Sequence, residues 1–409
     1  MNIEALPWHE YESKLSCPNS PIESEVSEKV NSIVVAGAEL NIESTRCIIM
    51  MSRVPRKISA DDPWLVAVRK AVSYAVENEW TIVSSFGIFG WEYISWYAAK
   101  SMANICMVMP TSALNTFYKE CEKCTVELGL NREKTTFLMP LTEDKLPKAE
   151  RMQLRDKLAF LISHHCLPVY IRKKGNWTNV LAGANNIDNR FHIESPGKYI
   201  ESWRKDISWA SSISSSKWDD LLIHWTRGTY GPWRGEVEAD YFEVLTEAES
   251  GNPRDALATL EYIAASGILR GEGKMVKGGT LAISFTSLSP INAIKQIEFR
   301  ATLSRWNFEP YGIALPRKTL QRLGTRKVIY GDKELFNQLS PEEKPYYQYI
   351  GEQDSKEGSI NWQRENEWRI LGDIDLMSFK DEVIIITPFK NEAAKLRKTL
   401  PYKIKALEE

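Results

Sequence analysis

The sequence is short of the features that most simply announce a function. No apolar run approaches the roughly 20 residues needed to cross a bilayer. The first 32 residues are polar and acidic, without the basic stretch and apolar stretch of a secretory leader, so a cytoplasmic location is expected. Charge of one sign is also missing. Lys and Arg number 52 against 54 Asp and Glu, a net charge of −2. That balance excludes a chain that holds nucleic acid or membrane through bulk positive charge, though it leaves room for a local basic groove. There are five histidines and six cysteines. Cys121 and Cys124 form a C-x-x-C with no second pair at zinc-finger spacing. They are expected to be two positions on one helix in a reducing compartment rather than a redox or metal site. The adjacent His164 and His165 are expected to be structural, and no metal is expected.

What is present is enough chain for two cores. A length of 409 residues with 43% hydrophobic and 26% charged residues suits two domains. Residues 1–30, with Pro7, Pro18 and Pro21 among acids and serines, read as a polar tail that packs on or trails from the first domain. Strands and helices then alternate. Apolar strands are expected at 45–52, 80–85, 103–109, 135–139 and 167–172. Between them, helices are expected from Asp62-Pro63 onward, over 91–102, around 112–128 and around 148–163. Asp62 would cap the first of these, with Pro63 at its first position and Leu65, Val68, Ala71, Val72, Ala75 and Val76 on one face. This order implies a mostly parallel sheet covered on both faces, a Rossmann-like α/β domain over 31–207. A serine-rich stretch at 208–217 reads as a linker. The remainder, 218–409, has a different grammar. A strand at 220–225 is followed by a helix expected to be capped by Asn252-Pro253 and ended by Gly267. Short strands follow at 280–285, 310–315, 327–330, 367–371 and 382–388. This is an α+β domain.

In a doubly wound sheet, ligands bind beyond the carboxyl ends of the strands. Three loops hold that position: Ser52-Arg53, the segment 84–90 (S-S-F-G-I-F-G), and 110–112. Gly87 and Gly90 would let backbone approach a phosphate, Ser85 lies beside them, and Arg53 would add a fixed charge. A tight turn without a ligand fits the same glycines. The sequence of elements around Ser52-Arg53 and V-S-S-F-G-I-F-G, over residues 45–175, resembles the DprA/Smf and lonely-guy (SLOG-like) group of Rossmann proteins. The resemblance implies a domain that binds or senses a nucleotide or DNA. The P-G-G-x-G-T motif of lonely-guy enzymes is absent, which argues against phosphoribohydrolase activity.

Three clusters abut strands in the second half. They are His224-Trp225-Thr226-Arg227 with Gly231-Pro232-Trp233, then Ser284-Phe285-Thr286-Ser287, then Glu365-Asn366-Glu367-Trp368-Arg369. Breaking the nicotinamide–ribose bond of NAD develops positive charge on the sugar, as in glycoside hydrolysis. A carboxylate beside the ribose would stabilise that charge, a His or Arg would hold ribose or diphosphate, and a hydroxyl-bearing strand would support the carboxylate. Each cluster alone fits an ordinary strand. The order His or Arg, Ser-x-Ser-like strand, Glu-x-Glu is similar to the ADP-ribosyltransferase superfamily, notably its DNA-targeting toxins, over residues 218–390. W-Q-R-E-N-E-W-R (362–369) is similar to W-x-x-E-x-E-x-R segments of bacterial proteins tied to it. The resemblance implies NAD as substrate and Glu367 as the catalytic carboxylate, assisted by His224 and Glu365. NAD would be bound through His224, Thr226, Arg227, Ser284, Thr286, Arg305 and Tyr311. Whether His224 or Arg227 fills the first role stays open, and Phe285 stands where a small residue would match better. One of Glu365 and Glu367 is expected to face the cleft, the other to be solvated or paired with Arg364 or Arg369. Ser304-Arg305-Trp306 and Pro310-Tyr311-Gly312 are expected to frame it.

Together the two resemblances imply a sensor–effector, a toxin or antiviral defence protein. It would ADP-ribosylate a macromolecule or hydrolyse NAD under control of a nucleotide- or DNA-sensing domain, either as a single chain or as a homo-oligomer. Two rival readings are a non-enzymatic module that binds single-stranded DNA by stacking on its aromatic residues (11% of the chain), and a nucleotide hydrolase centred on the first domain.

Overall fold

The computed structural model describes residues 3–15, 22–54, 57–111, 113–143, 146–182, 184–197, 204, 218–273, 276–300, 305–350 and 362–408. The serine-rich stretch 208–217 and Ser304 lie outside them. Two compact units form, one from Met1–Tyr199 with Tyr230–Pro253, the other from Ile200–Thr229 with Arg254–Glu409. Residues 230–253, which follow the first strand of the second half, thus belong with the first unit. Among the described residues no helix is long and apolar enough to cross a membrane.

The first unit is built on seven strands. They are β1 (Ile3–Pro7), β2 (Ser32–Gly37), β3 (Arg46–Met51), β4 (Thr81–Ser84), β5 (Ile105–Val108), β6 (Thr135–Leu141) and β7 (His165–Tyr170), in the spatial order β1-β2-β6-β5-β4-β3-β7. The five strands from β6 to β7 run parallel, and β2 and β1 extend the sheet antiparallel at one edge. This is a parallel-rich mixed sheet of Rossmann-like type. Residues alternate between its two covered faces. Cys47, Ile49, Ile82, Met107 and Phe137 meet the helices Pro63–Glu77, Phe89–Lys100 and Leu114–Glu127 on one side. Ile48, Met50, Val83, Val108 and Leu138 meet the helix Lys148–Leu161 on the other. Within the first thirty residues, Leu6, Trp8, Leu15, Val26 and Val30 are buried and β1 pairs with β2. Helix Glu238–Glu247 also belongs here, with Tyr241, Phe242 and Leu245 fully buried beside Trp64, Phe89, Tyr93 and Trp96.

Gly37 ends β2 at φ +95°, and an added Cβ would press into the Thr135 carbonyl oxygen on neighbouring β6. Both the positive φ and the close approach oppose a side chain. Gly37→Ala is expected to cost about 2 kcal/mol of stability, read as a lower urea midpoint. An unchanged midpoint would mean that the edge strand shifts freely.

In the second unit the strands are short: β8 (Leu221–Trp225), β9 (Ile268–Leu269), β10 (Ala282–Thr286), β11 (Phe299–Arg300), β12 (Arg305–Trp306), β13 (Gly312–Pro316) and β14 (Arg326–Lys327). After them come β15 (Ile329–Gly331), β16 (Tyr347–Tyr349), β17 (Glu367–Leu371), β18 (Ile374–Asp375), β19 (Ile384–Thr387) and β20 (Lys403–Ala406). Seven of these make the main sheet, ordered β14-β17-β10-β8-β13-β19-β20. Helix Ala256–Ser266 is capped by Asp255, whose side chain accepts from the Ala258 amide, and ends at Gly267 with φ +69°. The cap is therefore not Asn252-Pro253. Pro253 ends the segment that belongs to the first unit, and an Asp shortly after it supplies the oxygen a helix start needs.

The centre of this sheet is discontinuous. β10 pairs with β17 from Ala282↔Leu371 to Thr286↔Glu367, and β8 pairs with β13 along its whole length. Between β8 and β10, however, the register holds at Thr286↔Ile223 alone. Past that pair the two strands part, opening a split beside Ser284, and the same edge of β10 is met again at Ala282 by a backbone bridge to Glu272.

Candidate functional site

At this split the sequence clusters of the second unit come together. Glu367 opens β17 opposite Thr286, and Ser284 lies opposite Arg369, so these four side chains share one face. The Ser284 hydroxyl donates to Glu367 Oε1 at 2.5 Å. Arg369 Nε donates to the same oxygen at 2.8 Å, and its Nη2 to Oε2 at 3.2 Å. Glu367 is 7% exposed and Arg369 3%. The guanidinium is in turn fixed by the Tyr347 carbonyl oxygen at 2.9 Å and Gln348 Oε1 at 2.7 Å. The groups that orient the carboxylate are thus themselves held, which is what a preorganised charge requires. Ser284 is exposed, so the carboxylate stands at the edge of solvent.

His224 lies on the opposite face of the sheet, beside Phe285 at 6.0 Å between ring centroids. Its Nδ1 reaches the Ser284 carbonyl oxygen at 2.8 Å, an acceptor that the split would otherwise leave unpaired. A carbonyl can only accept, so Nδ1 carries the proton and Nε2 is left as an acceptor. Burial lowers the His224 pKa, as does the nearby Arg227, while the Ser284 hydrogen bond and Glu272 oppose this. Ser284 thereby joins two of the expected residues, holding Glu367 with its hydroxyl and His224 with its carbonyl.

Glu365 and Glu367 do not divide as expected. Each has its own cation: Glu365 pairs with Arg300, and Glu367 with Arg369. Asn366 between them has φ +44°, which breaks the strand, and asparagine tolerates that conformation. Thr286 donates to the Glu365 carbonyl oxygen at 2.6 Å, positioning that segment's backbone. Burial raises the Glu365 pKa, with Arg300 opposing and Glu367 reinforcing.

Arg227, just past β8, and Arg305, on β12, lie within electrostatic reach of each other and of Glu272 and Arg300. Burial, then the charge of Arg305, lowers the Arg227 pKa to about 10. Neither Arg227 nor Arg305 has a hydrogen-bond or ion-pair partner among the described residues. Two crowded guanidiniums without a paired carboxylate favour an anionic ligand over the empty state. Arg305→Gln is expected to weaken the binding of an anion such as pyrophosphate about tenfold, a loss typical of one charge-assisted contact. Calorimetric titration with pyrophosphate checks this, and unchanged binding would place Arg305 elsewhere.

No hydrogen bond or ion pair among the described residues links the other expected residues to the Glu367 carboxylate. Thr226 is buried and donates to the Tyr311 carbonyl oxygen at 3.1 Å. Tyr311 is buried, and its hydroxyl donates to Glu392 at 3.0 Å. Gly231, Pro232 and Trp233 belong to the first unit. Sequence reasoning missed Arg300, Tyr330 and Gln348. Arg369 was among the expected partners of the two glutamates, and the period of two puts it on the same face as Glu367, with which it pairs.

In the first unit, winding reverses between β3 and β7, and Ser52 closes that point by accepting from the Arg172 amide at 3.0 Å. Arg53 is exposed. Ser85 is buried, donating to the Val108 carbonyl oxygen and accepting from the buried Arg155. Gly87 has φ +94°, and its amide donates to the Glu92 carboxylate at 3.1 Å. Gly90 lies inside the helix Phe89–Lys100, where an added Cβ would collide with the Met51 side chain. Cys121 and Cys124 are both buried on the helix Leu114–Glu127, and burial raises both thiol pKa values, that of Cys121 to about 12. His164 Nδ1 accepts from the Arg46 amide at 2.9 Å. Among the described residues no cluster of three metal-ligating side chains occurs.

The geometry thus defines a protein of two compact units, one a Rossmann-like sheet and the other an α+β unit with a carboxylate–hydroxyl–guanidinium site at a split in its sheet. No protein-family model matches the chain, and neither does any curated protein. Among solved structures, it is similar to the DNA processing protein A of Helicobacter pylori, described for its single-stranded DNA binding mode. That match has 14% identity and a TM-score of 0.30, over 37% of this chain and 66% of that one. It is also similar to DNA processing protein A of Streptococcus pneumoniae, with 13% identity and a TM-score of 0.33, over 46% of this chain and 62% of that one. The chain spans just under two thirds of the length of each.

Proposed function

We propose that the second unit cleaves the nicotinamide–ribose bond of NAD and transfers the ADP-ribosyl group to a macromolecule or to water. The observation that carries this reading is the Glu367 carboxylate, fixed by Ser284 and Arg369 at the mouth of the split. In the reaction, the bond between C1′ and the pyridinium nitrogen breaks and its electron pair returns to the ring, releasing neutral nicotinamide. The sugar gains oxocarbenium character, and an oxygen or nitrogen nucleophile of the acceptor, or water, forms the new bond to C1′ as it gives up its proton. Glu367 stabilises the developing positive charge and accepts a hydrogen bond from a ribose hydroxyl. Arg227 and Arg305 hold the diphosphate, and His224, through its Nδ1 hydrogen bond to the Ser284 carbonyl oxygen, positions the strand that carries Ser284. Ser284 and Arg369 position Glu367, and Thr286 positions the segment before it.

The first unit is proposed to bind a nucleotide or nucleic acid and to regulate this chemistry, an arrangement suited to a toxin or antiviral effector. A module that only stacks bases is less well supported. Trp64, Trp91, Tyr93, Trp96 and Tyr241 are buried, packed against other aromatic rings.

The test is incubation of the full chain with NAD, alone and with single-stranded DNA or cell lysate, following nicotinamide release and NAD binding. Release in any of these conditions is the expected result. Absence of both release and binding throughout would overturn the reading.

A further inference from the structure

We propose that Tyr330 contacts the substrate at this same site, its hydroxyl donating a hydrogen bond to one hydroxyl of a ribose diol whose neighbouring hydroxyl is held by Glu367. The proposal rests on the reading of Glu367 given above and extends it to a residue that no sequence motif marks. Tyr330 lies on β15, which pairs in parallel with β16 at Tyr330↔Gln348. The phenolic oxygen accepts the backbone N–H of Glu367 at 3.2 Å. The ring is therefore pinned at the first residue of β17, with an acceptor position of the oxygen occupied.

The proton of that hydroxyl finds no acceptor among the described residues. Tyr330 is half-buried, and a polar hydrogen fixed there without a partner forfeits most of a hydrogen bond. A ligand oxygen restores it. Burial, with the charges of Glu367 and Glu365, raises the phenol pKa to about 12, so the group stays a donor.

The carboxylate supplies the complementary half. Among the described residues Glu367 Oε2 accepts from Arg369 alone, whereas Oε1 takes both Ser284 and Arg369. A carboxylate oxygen has room for two donors, so Oε2 can still accept a ligand hydroxyl. A carboxylate that accepts and a phenol that donates, both fixed to one residue of β17, match two adjacent hydroxyls that each donate and accept. A ribose presents such a diol. A carboxylate ligand would meet Glu367 as a like charge, and an apolar ligand would satisfy neither group; a primary amide could donate to the carboxylate and accept from the phenol, and the deoxy analogues below distinguish it from a diol. β16 ties the pair together, since its Tyr347 carbonyl and Gln348 side chain hold Arg369 while its backbone carries Tyr330.

The experiment uses the full chain and three substrates: NAD and its analogues lacking either the 2′- or the 3′-hydroxyl of the nicotinamide ribose. The unaltered protein is expected to cleave both analogues more slowly than NAD. Tyr330→Phe is expected to lower kcat/KM for NAD about three- to tenfold, the loss of one uncharged hydrogen bond. It is also expected to abolish the discrimination against one analogue while keeping it against the other. An equal loss on all three substrates would reduce Tyr330 to a support for the Glu367 backbone and overturn the proposal, as would no loss at all. Equal turnover of NAD and both analogues by the unaltered protein would overturn it without reference to the variant. If the unaltered protein neither binds nor cleaves NAD, the reading of Glu367 fails as well, which sets that outcome apart from failure of the tyrosine alone.

Discussion

Glu367→Gln is expected to lower nicotinamide release from NAD by about 100- to 1000-fold, the range seen when one preorganised electrostatic group is removed from a transition state. Glutamine matches the carboxylate in volume and can still accept from Ser284, so the β10–β17 pairing should survive. What disappears is the negative charge facing the developing oxocarbenium. The same change leaves the 3%-exposed Arg369 without its ion pair, and removing one partner of a buried pair destabilises. The Tyr347, Pro345 and Gln348 oxygens still hold that guanidinium. Thermal unfolding beside the activity assay separates the effects. A folded variant that binds NAD but does not cleave it is the expected result, and full activity would remove Glu367 from the mechanism. Glu367→Asp keeps the charge and withdraws it by one methylene, so it should fall between the two.

Stability of the second unit is expected to fall as pH rises from about 4.5 to about 7, the reverse of the usual acid sensitivity. The cause is Glu392 in the helix Lys390–Leu396. Burial raises its pKa from 4.5 to about 7, reinforced by Asp255 and Glu408 and opposed by the Tyr311 hydrogen bond and the Phe389 backbone. Among the described residues its Oε2 is buried and accepts no well-formed hydrogen bond. In this window the folded chain binds a proton that the unfolded chain has released. Stability is therefore fully present below the unfolded pKa and is lost as pH climbs through the folded one. Each tenfold change in proton affinity is worth on the order of 1.4 kcal/mol, which sets an upper bound of about 3 kcal/mol on the loss at neutral pH and above. Solvent around this half-buried group screens its charge and brings the loss nearer to about 2 kcal/mol. Asp255, also raised by burial, adds a smaller slope of the same sign. Glu392→Gln imitates the protonated form. It should flatten most of the slope and stabilise the protein at pH 8, measured as urea midpoints at about pH 5.5 and about pH 8. Equal slopes in variant and parent would clear Glu392 of the effect.

The βα alternation of the first unit was legible because its strands are continuous apolar runs and its helices keep a 3.6-residue period. Five strands and four helices lie within a few residues of where the pattern puts them. Strand β1 escaped notice because I-E-A-L-P is short and ends in proline, and β2 because little in its flanks separates S-I-V-V-A-G from a loop. The helix cap at Asp255 was misplaced because Asn252-Pro253 satisfies the same local rule. In the second unit, Ser284, Thr286 and Glu367 could be seen to belong together, since period and register bring them to one face. Arg300 and Tyr330 could not, because their approach to the two glutamates depends on how far-apart segments pack. Thr226 and Tyr311 show the same limit from the other side, as their hydroxyls are taken up by the surrounding protein.

The return of residues 230–253 to the first unit has a consequence for how the chain matures. On the ribosome, β8 emerges while the first unit still lacks Tyr241, Phe242 and Leu245, which fill its aromatic core. The first unit cannot close by completing itself and then handing over to the next, as domains strung end to end do. A protein truncated after the serine-rich stretch would expose the pocket those three side chains fill. The two units therefore cannot be parted by a single cut, and inheritance that preserves one whole must carry the opening strand of the other with it.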